Sequence, residues 1–328
     1  MGSRGGLALI DPVRQRLRAN RNWVRLRRIQ REGFVAAWGR CRLWSRILET
    51  RPVVTRPCVE SEPVEAHLLC CERDYLTAIW ALKTFYHFSN EGFPLAIHFQ
   101  GTITRQIERE LSNHFPHARL ISQIEADERV EADLRAAGLK RLIDARRRSP
   151  FMLKLTDMRL LCRARRMLMI DSDILFFARP SALLEAAASS ASQSLFMRDP
   201  ADNYNISRER AREVFRIDLA SRVNTGLVIV DRDIIDFNRC DHFLSDEETA
   251  RPTGFIEQTL YALAASENAK VDYLPPSYLV SLDAGLPFDG VIARHYAGPS
   301  RPFLTSEGMP RLIQSGWLKK ISKGASPR

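Results

Sequence analysis

Short apolar runs at residues 67–71, 95–100, 119–121 and 167–170 alternate with helix-length stretches at 75–88, 103–114 and 154–165. Runs this short and this apolar read as strands buried on both faces, and connectors of ten or more residues force right-handed crossovers between parallel neighbours. That alternation constrains the chain to an α/β class: a Rossmann-like, mainly parallel central sheet with helices packed on it. The charged stretch 125–148 is also read as helical, and no internal repeat is visible.

The most apolar of these runs, Met167-Leu-Met-Ile170, leads directly into Asp171-Ser-Asp173. A buried strand does not hold two carboxylates without compensation, because desolvating them is costly. The carboxyl end of a central strand is also where open α/β sheets bind ligands. Two Asp at i and i+2 on extended chain point to one side, so both can reach one hard cation, and such a cation can bridge two phosphates and neutralise a departing diphosphate. The plainer reading is a strand-end Asp turn.

Four further segments decide between these. Val223-Asn-Thr-Gly-Leu-Val-Ile-Val-Asp231, Gly254-Phe-Ile-Glu-Gln-Thr-Leu260, His295-Tyr-Ala-Gly-Pro-Ser-Arg-Pro-Phe303, and Lys154 placed seventeen residues before Asp171 follow in a fixed order around the Asp-Ser-Asp. Together they resemble GT-A fold glycosyltransferases, in particular family 8 and its relatives, with their DxD element, N-[ST]-G strand, D-Q-x helix start and H-F-x-G-x-x-K-P-W segment. The match spans about residues 66–318 and is weak between the motifs. Glu257 stands where that family has Asp, Arg301 where it has Lys, and Phe303 where it has Trp.

The resemblance implies a single catalytic domain over 66–318 that moves a sugar from a nucleotide-diphosphate donor, UDP by analogy, to an acceptor. Retention of anomeric configuration is implied, with a divalent cation (Mn2+ or Mg2+) as cofactor. It makes Asp171, Asp173 and His295 the metal ligands, and a neutral imidazole beside two carboxylates leaves open positions for phosphate oxygens. Nucleotide-sugar contacts fall on Lys154, Ser172, Gly298, Arg301, Asp74 and Tyr75. Arg301 brings a planar fork to phosphate, Gly298 lets the backbone turn close to the diphosphate, and a tyrosine face at Tyr75 can stack on the base. Gln258, Glu257 and Asn224 are the catalytic candidates: Gln258 or Asn224 supports the developing oxocarbenium ion if the enzyme retains, and Glu257 is the base if it inverts. Asn224, Thr225 and Gly226 are expected to begin a strand at 227–230, and Glu257 and Gln258 to open a helix, where a dipole favours an acid whether or not chemistry follows. Acceptor contacts are sought in the polar stretch 201–218, and the acceptor itself is left unknown. Two alternatives stand beside this reading. One is a catalytically inactive GT-A-like module that binds nucleotide sugar or membrane. The other is a sugar nucleotidyltransferase, against which the glycine-free Cys70-Cys-Glu-Arg-Asp74 counts.

Charge separates off a second region. Residues 1–57 hold fourteen arginines, no lysine and three acids, a surplus that exceeds the net +10 of the whole chain. Over residues 23–48 the apolar side chains Trp23, Leu26, Ile29, Phe34, Trp38, Cys41, Trp44 and Leu48 recur near a helical period, with arginines on much of the opposite face. This basic extension reads either as a helix packed on the catalytic body or as one lying on an anionic membrane surface. Nothing in it marks a nucleic-acid reader, so no nucleic-acid partner is expected. Three prolines make 51–65 a linker. No run reaches the roughly 18 apolar residues of a membrane span. The six cysteines show neither CxxC nor zinc-finger spacing, so a cytoplasmic protein, peripheral on the inner membrane face if the extension binds lipid, is expected.

Overall fold

The computed structural model describes Gly39 and residues 42–59, 62–189, 194–268 and 271–323. The chain divides into two units, Met1–Ile47 and Leu48–Arg328. Most of the helical pattern at 23–48 lies outside the described residues.

In the larger unit seven strands form one sheet in the order β3-β2-β1-β4-β7-β6-β8. They are β1 (Val64–Cys71), β2 (Leu95–Gln100), β3 (Arg119–Ser122), β4 (Arg166–Ile170), β6 (Ser194–Arg198), β7 (Val223–Asp231) and β8 (Val271–Tyr273). β3, β2, β1 and β4 run parallel, β7 runs antiparallel to both its neighbours, and β6 pairs β8 in parallel. β1, β2 and β4 are buried almost throughout, which accounts for continuous apolar runs such as 167–170. A three-stranded sheet stands beside it, in the order β5 (Ile174–Phe176), β10 (Ala293–His295), β9 (Tyr278–Val280).

The crossover helices begin and end where local chemistry directs. α1 (Tyr75–Ser89) ends on Asn90, which takes the left-handed conformation that asparagine tolerates. α2 (Arg105–His114) is capped by the Thr104 hydroxyl accepting from the Ile107 amide, and α3 (Gln123–Ala136) by the Ser122 hydroxyl accepting from the Glu125 amide. The stretch read as one helix over 125–148 is two, because Gly138 at φ +73 breaks it before α4 (Lys140–Arg148). α5 (Met152–Leu161) stops four residues short of the expected 165, since residues 162–165 must cross to the start of β4. Then follow α6 (Ser181–Ala188), α7 (Arg208–Phe215), α8 (Phe237–Phe243) and α9 (Ile256–Glu267). At the C-terminal side Trp317 lies with its ring centroid 5.5 Å from that of Trp80 on α1, both fully buried.

The segment expected as a linker is bonded to the body. The Arg51 amide donates to Ile321, Val53 to His114 and Arg56 to Gly92, and the last two residues of 51–65 already belong to β1. Among the described residues no helix is long and apolar enough to cross a membrane.

Candidate active site

β4 delivers the first two carboxylates. It ends at Ile170, and Asp171, Ser172 and Asp173 form a tight turn in which the Ile174 amide donates to the Asp171 carbonyl at 3.2 Å. The convergence expected from extended chain is therefore produced by a turn. The physical reason is that the chain leaves the large sheet here and enters the small one as β5.

β5 then delivers the third group. Its antiparallel partner β10 sets His295 opposite Ile174, and the Tyr296 amide donates to the Asp173 carbonyl at 2.9 Å. His295 Nε2 lies 3.2 Å from Asp173 Oδ1 and 3.7 Å from Asp171 Oδ2. One ligating atom from each of these three residues falls within 4.8 Å of the others.

The imidazole is oriented from behind. Its Nδ1 sits 2.9 Å from Asn224 Oδ1, which also accepts from the Gly226 amide. An amide oxygen at Nδ1 demands a proton there and leaves the Nε2 lone pair facing the carboxylates, the arrangement that metal-ligating histidines need. Room for the ring comes from Gly226: a Cβ at that position would overlap the imidazole itself. Asn224, Thr225 and Gly226 lie inside β7, which starts at Val223, and do not precede it as expected. They occupy the irregularity where the β6–β7 register shifts, and the Gly226 carbonyl accepts from the Asp171 amide at 2.8 Å.

Beneath Asp171 lies a buried layer. Lys154 Nζ, on α5, is 2.9 Å from Asp171 Oδ1 and 3.5 Å from Glu257 Oε1, and donates to the Thr225 carbonyl at 3.0 Å. Burial works against its charge, but Asp171 and Glu257 outweigh it and hold the ammonium more firmly protonated than usual. Glu257, the second residue of α9, accepts from the Thr225 hydroxyl, and burial pushes its carboxyl up to about 7 against the pull of Lys154. Gln258 gives its amide to the Asn203 carbonyl at 2.9 Å and approaches Asp199 Oδ2 at 3.5 Å. Asp199 also accepts from the Asn224 amide.

At the rim, Arg301 follows the turn Gly298–Ser300, where Gly298 has φ +49. Its Nε lies 3.2 Å from Asp173 Oδ2, and Nη2 lies 3.4 Å from both Asp74 Oδ2 and Ser172 Oγ. About two fifths of the side chain is exposed, so the guanidinium bridges the buried carboxylates and solvent. Asp74 stands before α1, yet its carboxylate does not cap that helix. It accepts from the Cys71 amide at 2.7 Å and from the Ser172 hydroxyl at 3.2 Å. Tyr75 opens α1 and turns its hydroxyl to Glu110; burial and that carboxylate raise its pKa. For Asp173, burial alone would favour the acid, but His295 and Arg301 hold it below the usual carboxylate range. In His295, burial opposes the charge and Asp173 overrides it, so its pKa is raised.

Two contributors escaped the sequence reading. Asp199 follows the apolar run of β6 as Asp171 follows that of β4, a signal the sequence does contain. Gly226 was visible inside the Asn-Thr-Gly triplet, but nothing local says that a ring from residue 295 needs its missing side chain.

No protein-family description matches the chain, and no curated protein matches it in sequence. Solved structures do match. The galactosyltransferase LgtC, determined with donor and acceptor sugar analogues, superposes with a TM-score of 0.53 at 11% identity, covering 80% of this chain and 98% of that one. The bifunctional glycosyltransferase WbbM superposes at 0.50 with 12% identity, over 83% of this chain and 54% of that one. The chain has the GT-A fold of these glycosyltransferases.

Proposed function

We propose that this chain is a metal-dependent glycosyltransferase that takes a sugar from a nucleoside-diphosphate donor, UDP by motif resemblance, and passes it to an acceptor hydroxyl with retention. The observation that carries the reading is the convergence of Asp171, Asp173 and His295. These groups come from the end of one sheet and the middle strand of another, and they meet around a single point.

The donor set fits a divalent cation: two carboxylates and one imidazole are the hard and borderline ligands that Mn2+ or Mg2+ accept, with positions left for phosphate oxygens. When bound, such a cation supplies Lewis-acid stabilisation of the departing diphosphate. The remaining steps fall to the chain's own residues. Asn224 fixes the His295 tautomer. Lys154 holds Asp171 in place and ties it to β7 and α9, with Glu257 positioning the ammonium from below. Arg301, held loosely by three acceptors at the rim, exchanges them for phosphate oxygens, helped by Ser172 and Gly298 in the same turns. Gln258 and Asn224, clamped by Asp199, present a dipolar wall to positive charge developing on the sugar ring. Asp74 and Tyr75 at the end of β1 are assigned to the nucleotide. In retention the acceptor oxygen attacks from the face the diphosphate leaves, and no separate base is required.

The test is a screen of nucleotide sugars with Mn2+, reading released nucleotide, beside Asp173→Ala. Loss of one charge-stabilising group predicts a fall of on the order of 100-fold or more. No donor consumption by either protein across the panel would sink the reading in favour of a binding module, and equal consumption by both would overturn the metal role of Asp173. A role for the basic extension at an anionic membrane belongs to the same proposal. It is supported by the aromatic and arginine pattern at 23–48 and is checked by liposome flotation.

A further inference from the structure

A second constellation lies at the opposite end of the parallel strands from Asp171. Glu65 and His67, two apart on β1, share one face of the sheet, and Cys162 closes on them from the end of α5. All three are buried, and one ligating atom of each lies within 4.8 Å of the others. The Cys58 thiol lies nearby but outside this group, 3.9 Å from the Val59 carbonyl.

His67 is the telling residue. Its Nδ1 lies 3.0 Å from His98 Nε2, so the inward-facing atom is Nε2, which is fully buried, has no hydrogen-bond partner and stands 3.3 Å from Glu65 Oε2. The carboxylate is served on its own account. Arg119 reaches Oε1 at 2.8 Å, and the Arg163 amide donates to Oε2 at 2.8 Å. The imidazole Nε2 has only that carboxylate beside it. With Nδ1 as the donor to His98, Nε2 is left as a lone pair against a carboxylate oxygen in a dry interior, which calls for a cation between them.

We propose that Glu65, His67 and Cys162 form a structural site for a divalent cation of the zinc type, with the neighbouring Cys58 drawn in from the segment ahead of β1 as the fourth ligand. Two sulfurs, one imidazole and one carboxylate make a four-coordinate set of the softness zinc takes, unlike the sulfur-free group at Asp171, Asp173 and His295. His67 then donates its Nδ1–H to His98, the outer hydrogen bond that orients a ligating histidine. Burial, and then the Glu65 carboxylate, push both thiols up to about 12, so binding releases both thiol protons to solvent as the two metal–sulfur bonds form. The site staples three separate stretches together: the segment ahead of β1, β1 itself, and the connection from α5 to β4.

The probe is Co2+ titrated into the full-length protein freed of metal by a chelator. One equivalent is expected to produce a sulfur-to-cobalt charge-transfer band in the near ultraviolet. That band persists in a Asp173→Ala, His295→Ala double variant, whose damaged site has no sulfur to give. It is lost in Cys162→Ala and weakened in Cys58→Ala, and Zn2+ abolishes it by displacement. Should Cys162→Ala fail to fold, alkylation of the wild-type chain decides: Zn2+ is expected to slow labelling of Cys58 and Cys162 by at least about 10-fold, leaving the other thiols unchanged. Three outcomes overturn the proposal. They are Co2+ binding with no sulfur band, thiol labelling indifferent to Zn2+, and recovery of Cys58 and Cys162 as a disulfide. The first is also the result expected if His67 instead carries a proton and simply pairs with Glu65.

Discussion

At the scale of single residues, the site depends as much on what is missing as on what is present. Gly226 leaves the space that the His295 ring fills, so Gly226→Ala displaces the imidazole by a fraction of its own width without removing any polar group. A misplacement of that size predicts a loss of on the order of 10–100-fold in donor turnover. Circular dichroism should remain that of the folded chain, and wild-type turnover in this variant would refute the steric role. Lys83 makes a different residue-scale prediction. It is buried on α1, donates to the Arg51 carbonyl, and is lowered to about 7 by burial and then by Lys323. Between about 7 and its ordinary 10.5 the unfolded chain holds a proton that the folded chain has released. Stability therefore rises with pH across that window, by on the order of 1–3 kcal/mol. Neighbouring His114, lowered to about 3 by burial and Lys83, titrates below it. Denaturant melts at pH 7 and pH 10 should show the rise in the wild type and a much flatter response in Lys83→Met.

Among elements, the helices on one side of the sheet are pinned by a single guanidinium. Arg146 on α4 makes a two-pronged bond to Asp157 on α5, each arm 2.8 Å, and pairs with Asp127 on α3 at 2.6 Å, all with the arginine nearly fully buried. Removing the more buried partner leaves the charge undercompensated, so Asp157→Ala is expected to cost about 3 kcal/mol in urea unfolding. A cost under about 1 kcal/mol would mean that Asp127, with Glu131 at 3.7 Å, suffices. Elements of this kind were largely legible in the sequence, because β1, β2, β4, α1 and α5 owe their existence to local pattern. The small sheet was not. β9 and β10 are three residues each, too short for periodicity to register, and they exist because β5 offers an edge to β10 and β10 offers one to β9. The break at Gly138 was written in the chain but outweighed by the helical charges around it. The buried pairing of Lys154 with Asp171 and Glu257 joins positions far apart in sequence, so only the family resemblance pointed to Lys154 at all.

For the molecule as a whole, the boundary between extension and body carries the prediction. Residues 51–56 are bonded to the body: Arg51 meets Ile321 and Lys320, Val53 meets His114, and Arg56 meets Gly92. Removing 1–57 should therefore lower the melting temperature by several degrees more than removing 1–47, while both truncations abolish liposome binding if the extension is the membrane anchor. Identical melting temperatures would show the bonded segment to be dispensable.

The order of the chain has one more effect. Every strand of the large sheet is complete by Tyr273, whereas the imidazole arrives on β10 at His295 and the rim guanidinium at Arg301. A growing polypeptide can thus assemble its main scaffold before these two side chains exist. The group of Asp171, Asp173 and His295 is complete only after residue 295 has been made and β10 has zipped against β5.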